Sequence, residues 1–170
     1  MKPVDSTYKI LAYKILGRGV DEEWVQWAQE MIVAGYDTEY LIILAGEMPF
    51  FNQFEMKVLT DKVFKELGLS YENPVNVIRD YIYSLVNQVL DGKMNDQSAL
   101  EILYGIYWQV GHISNESEKL LDDFYSLSSL KEDVIYSSSN RWPEATIENA
   151  GDVIKNYFIE WKKNYENANT

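Results

Sequence analysis

Between residues 77 and 90, eight apolar side chains (Val77, Ile78, Tyr81, Ile82, Leu85, Val86, Val89 and Leu90) recur at steps of three and four. That spacing keeps one face of an α-helix apolar over about four turns, whereas a strand needs strict alternation. Asn73 and Pro74 stand just before it. An Asn side chain can accept from the unpaired amides of a first turn, and proline at the first helical position gives up only an amide that has no partner there. The wide apolar face predicts a place at the centre of the core.

The same combination of cap, stripe and stop predicts seven more helices. Tyr8, Leu11, Ala12, Ile15 and Leu16 mark one over about residues 6–16, stopped by Gly17. Asp21 caps a second, with Val20 set to pack on Val25, and Gly35 follows its end. Trp24 and Val25 mark its inward face, which would turn Trp27 away from the core. A third starts at Asp37, with Tyr36 set to pack on Leu41, and stops at Gly46 and Pro49. Asn52 and Glu55 have the spacing of a capping box for a fourth, whose stripe is Met56, Leu59, Val63 and Leu67.

Beyond the helix that begins at Asn73, Asn95 or Asp96 caps a sixth, aligning Leu100, Leu103, Tyr104, Tyr107 and Val110. A seventh runs from near Ser114 through Leu120, Leu121, Phe124, Leu127 and Leu130. The eighth, over about 149–166, aligns Val153, Ile154, Tyr157, Phe158, Trp161 and Tyr165. The polar stretch from Ser137 to Pro143 is the one long irregular segment. No strand period competes, so the class is all-α. Short connections predict a single globular domain over 1–170 of about eight helices, with mostly antiparallel neighbours.

With 170 residues, 46% of them hydrophobic and 14% aromatic, the chain can bury a sizeable core. It has no cysteine, which removes thiolate metal sites, disulfide frameworks and cysteine nucleophiles. Lys9 and Lys14 interrupt any secretory-type apolar run, and Tyr40 to Gly46, the longest apolar run, is far short of the roughly 20 residues a membrane helix needs. A cytoplasmic location is expected. The net charge of −12 is unevenly placed: residues 19–56 hold eight acids and no base, whereas 1–18 hold four bases (Lys2, Lys9, Lys14 and Arg18) and one acid. Such a surface repels phosphate backbones and anionic membranes, so neither nucleic acid nor membrane is expected as a partner.

Catalytic patterns are sparse. His112, the single histidine, follows Gly111 at a helix end, where favourable contact with the last carbonyls explains it. Asp122 and Asp123 are adjacent and diverge by roughly 100° on a helix, and Glu116 and Glu118 also point apart. Asp91 to Asp96 lacks the ligand spacing of a calcium loop, with Lys93 third, Asp96 sixth and Ile102 twelfth. No phosphate loop or nucleophile elbow occurs. These residues predict no catalytic site, cofactor or metal. Aromatic residues dominate binding hot spots, and while Tyr81, Tyr104, Tyr107, Tyr157 and Trp161 are expected in the core, Trp27 and Trp142 are candidates for contact with a partner.

The run Trp27-Ala28, Met31, Gly35-Tyr36-Asp37-Thr38, Leu41 and Leu44-Ala45-Gly46 resembles a segment found in small all-helical bacterial proteins, some of which resemble immunity proteins of polymorphic toxin systems. The likeness covers chiefly residues 21–69, with Ile154, Phe158 and Trp161 as further support, and carries over no functional residue. It implies a non-enzymatic protein-binding domain, of the immunity type, that inhibits a basic toxin. An acidic face suits such a partner, because it steers association and fills a cationic site. The base-free stretch is the expected face, through Glu22, Glu23, Glu30, Asp37, Glu39 and Glu47, beside Trp27 and Trp142. Two alternatives stand beside it: an adaptor that uses aromatic surfaces, and an enzyme working through carboxylates and a metal.

Overall fold

The computed structural model describes residues 3–136 and 141–168. Among them lie ten helices and no strand, so the fold is all-α. Residues group into two compact units, Met1–Val77 and Ile78–Thr170.

The first unit holds α1 (Ser6–Ile15), α2 (Glu22–Val33), α3 (Glu39–Ala45), α4 (Gln53–Leu67) and the first turn of α5 (Pro74–Leu90). α1 closes as expected at Gly17. With φ at 66° this glycine adopts a left-handed conformation that a side chain would strain, and it lets the Gly17 and Arg18 amides turn back to Lys14 and Tyr13 carbonyls. The same two-bond closure ends the helices before Gly35, Gly68 and Gly92. The caps at Asp21, Asn52 and Asn73 also form, each carboxylate or amide oxygen accepting from an amide of its first turn.

Two local expectations are corrected. Asp37 does not cap α3: Thr38 takes that position without a side-chain bond, and the Tyr40 amide instead donates to Glu66 Oε2 of α4 at 3.0 Å. Trp27 does not turn away. It is fully buried with Trp24, Ala28 and Met31, and its Nε1 donates to the buried Thr7 Oγ1 at 2.9 Å. The inward arc of α2 is therefore centred between Trp24 and Trp27, and Val25 sits at its margin, half-buried. Phe64 of α4 meets both indoles and Tyr71, at ring-centre distances of 6.0, 5.8 and 5.6 Å. Rings of this size each remove about 150–250 Å² from water and so dominate a small core.

In the second unit α5 continues, with Ile78, Tyr81, Ile82, Leu85 and Val86 buried. It is followed by α6 (Asp96–Val110), α7 (Asn115–Lys119), α8 (Asp122–Ser128), α9 (Leu130–Tyr136) and α10 (Ala150–Ala168). Asn95 caps α6, accepting from the Ser98 amide at 2.7 Å. α6 packs on α7 and α8, and α9 packs on α8 and α10.

The seventh helix expected from sequence is broken into three. Its buried residues Leu121, Phe124, Leu127 and Leu130 are spaced by three throughout. At about 100° per residue a strict three-residue step walks around a continuous helix by roughly 60° each time, so the breaks at Leu120–Leu121 and Ser129 bring all four inward. Phe124 then meets Tyr157, Phe158 and Trp161 of α10 at 5.3, 5.7 and 5.7 Å. Residues 137–140 of the expected irregular stretch lie outside the described residues.

Tyr104 departs from its expected place on the buried stripe of α6. It is 42% exposed, and Ala99 and Ile106 fill the inward positions beside Leu100, Leu103 and Val110. Tyr107 is half-buried, and both tyrosines stack on Tyr125.

Candidate functional site

The connection between α3 and α4 carries the most anomalous residue of the described chain. Phe50 has φ at 77°, and it is the one residue other than glycine in the left-handed region among those described. Pro49 before it and positive φ at Phe50 follow the order of a type II turn, whose third position normally takes glycine. A bulky side chain there costs about 1–3 kcal/mol, and surrounding structure must enforce it. The geometry sends consecutive phenylalanines opposite ways: Phe51 packs against the core of the first unit, and Phe50 is as exposed as in an extended chain, at 105%.

Phe50 has apolar company. Met48 is 75% exposed and Phe54, in the first turn of α4, 80%. Val58 follows Phe54 by one turn on the same helix face and is also exposed. Val33, Ile42 and Ile43 complete the set, so every exposed large apolar side chain described in the first unit lies between residues 33 and 58. That range overlaps almost entirely the stretch with no base. Glu47 and Glu55 flank the Phe50 turn in sequence, and neither makes an ion pair among the described residues.

The acids expected to form a binding face divide into two groups. Glu23 pairs with Lys9 at 2.8 Å, and Glu30 accepts from Ser6 Oγ at 2.5 Å and from Gln26 Nε2 at 3.0 Å. Together with Trp27 they line a pocket of about 90 Å³ between α1 and α2, so these three serve the seam between those helices. Lys9 loses solvation there, which alone would lower its pKa, yet the hydrogen bond it donates to Glu23 holds it above its usual value. Glu22, Asp37, Glu39 and Glu47 have no ion pair among the described residues. Trp142 is half-buried, its ring edge-on to Tyr157 at 6.1 Å.

The remaining chemistry-bearing groups are engaged or dispersed. Asp123 accepts from the Tyr157 hydroxyl at 2.8 Å and pairs with Arg141 at 2.5 Å. Burial first, and then that bond to Asp123, keep the Tyr157 phenol protonated far beyond its ordinary range. His112 is exposed, and the Val110 carbonyl accepts from the Ile113 and Ser114 amides. Among the described residues no three His, Asp or Glu side chains converge as a metal-binding group would require, and no helix is long and apolar enough to cross a membrane.

Sequence reasoning missed Phe50, Met48 and Phe54 as surface residues. The signal available was Pro49 followed by two phenylalanines with no glycine in the connection between two helices. No family model, curated protein or solved structure matches the chain.

Proposed function

We propose that the chain is a non-enzymatic protein-binding domain whose contact surface is the Phe50 turn with Met48, Phe54 and Val58. Its partner is a protein that offers an apolar socket with a basic rim. The supporting observation is that a fully exposed phenylalanine is held in a backbone conformation favouring glycine. Local stability does not explain such a residue, and retained strain together with exposed apolar area supports a binding site here. The rim chemistry follows from Glu47 and Glu55, which approach a basic partner without desolvating any base of their own stretch. An immunity-type inhibitor of a basic toxin is the narrower form of this reading, supported by charge alone.

The test compares immobilised wild type, Phe50→Gly and Glu47→Lys/Glu55→Lys in capture from the native host. A partner held by wild type should bind Phe50→Gly at least about tenfold more weakly, a loss of roughly 1.4 kcal/mol. It should also bind the double charge reversal less at low salt than at high salt. Equal capture by all three proteins would discard this surface.

An adaptor role through aromatic surfaces draws on a different observation. Exposed Trp108 sits edge-on to Tyr107 and Tyr125 at 5.5 and 5.8 Å in the second unit. Binding lost with Trp108→Ala, insensitive to salt and retained by Phe50→Gly, would favour that role.

A further inference from the structure

Where α1 turns into α2, the first unit has a pocket of about 370 Å³, within the size range of small-molecule sites. Its charge opposes that of the chain as a whole. Lys14, Arg18 and Lys57 line it and no acid does, in a protein of net charge −12. Lys14 is answered from behind by Asp61 at 2.8 Å, but Arg18 and Lys57 have no ion pair among the described residues. Arg18 lies over the Tyr13 ring, its guanidinium carbon 4.3 Å from the centroid, so the plane of its donors is held.

The walls are fixed before any ligand arrives. The Gln53 amide clasps Val20 in both directions, Oε1 accepting from the Val20 N–H at 2.8 Å and Nε2 donating to the Val20 carbonyl at 2.9 Å. Gly19 permits this approach, since a Cβ there would sit 3.0 Å from Gln53 Oε1. The turn bearing Arg18 is thereby tied to α4, which bears Lys57. Trp24 also lines the pocket, and its buried indole N–H has no acceptor, whereas the N–H of Trp27 reaches Thr7.

We propose that this pocket binds a small organic phosphate monoester. Arg18 and Lys57, neither in an ion pair among the described residues, supply two positive charges for the dianion, the guanidinium fork suits phosphate oxygens, and Val20 and Trp24 give the lining an apolar part. The pocket shares α4 with the Phe50 surface but is lined by other side chains, and the proposal does not depend on that reading.

The experiment uses the full chain and phenyl phosphate as probe, with inorganic phosphate, benzoate and phenol beside it, in calorimetric titrations near pH 7.5. Phenyl phosphate should bind saturably and at least about tenfold tighter than benzoate or phenol. In a proton–nitrogen spectrum, the one indole resonance lost in Trp24→Phe should move during the titration. Arg18→Ala/Lys57→Ala changes two exposed side chains, so its melting temperature should stay near that of wild type while affinity falls at least about tenfold. No saturable binding, equal binding of benzoate, or undiminished binding by a folded double variant would each overturn the proposal.

Discussion

Lys14 and Phe50 belong to the same unit and both invert the usual sorting of side chains, a cation inside and an aromatic ring outside. The side chain of Lys14 is only 10% exposed, but every part of it is answered. Its Nζ reaches Asp61 and Thr60 Oγ1, each at 2.8 Å, and lies 5.8 Å from the ring centres of Phe64 and Tyr71. Phe50 has no comparable compensation, and its backbone conformation adds cost. An inverted residue whose partners are all internal joins helices together. One whose partners are missing points to something outside the chain.

The largest expected effect tests the first half of that contrast. Lys14→Ala removes the pair, the bond to Thr60 and both ring contacts, and should lower unfolding free energy by roughly 2–3 kcal/mol in urea titrations. Lys14→Met, which keeps an unbranched stem, should lose less. A change below about 0.5 kcal/mol for Lys14→Ala would put Lys14 in the same class as an ordinary surface lysine.

Phe50→Gly should move the other way. Relief of the left-handed conformation competes with the greater chain entropy of glycine, for a net gain of about 1 kcal/mol at most, read as a higher urea midpoint. A loss of 2 kcal/mol or more, well past that of a typical surface change, would show that Phe50 is structural and sink the comparison.

The smallest effect concerns pH. Partial desolvation would raise the Asp61 pKa, but the Lys14 and Tyr71 hydrogen bonds outweigh it and hold the carboxyl below its ordinary value of 3.8. Because the folded pKa is the lower one, the stabilisation is present above the unfolded value and disappears as pH falls through the folded value. Melting temperature should therefore drop more steeply for wild type than for Asp61→Asn below about pH 4. Parallel curves would mean that the carboxylate contributes nothing to holding Lys14.

Helix ends were legible in the sequence because local chemistry decides them. Asp21, Asn52, Asn73 and Asn95 bond to amides two or three residues ahead, and Gly17, Gly35 and Gly68 close helices within their own turn. What depends on distant residues was not legible. Trp27 faces inward where Thr7 offers an acceptor, and α3 takes its carboxylate from Glu66 rather than from neighbouring Asp37. The division at Val77 and Ile78 falls inside a continuous helix, where composition leaves no mark of the kind a linker would. Of the expected acidic face, exposure of Glu22 and Glu39 was readable from helix position, but the internal pairing of Glu23 and Glu30 requires α1 beside α2.

The bond from Tyr40 to Glu66 also makes the stability of α3 depend on a distant residue. α3 has seven residues, too few to persist alone in water, and its donor-end partner arrives 26 positions later in the chain. Its native form rests on both α2 and α4, which pack on it, and on that bond. Amides of α3 should accordingly exchange with solvent ahead of those in the middle of α4, and simultaneous exchange would refute that dependence. The turn that carries Phe50 thus takes its shape from helices on both sides of it, not from its own sequence alone.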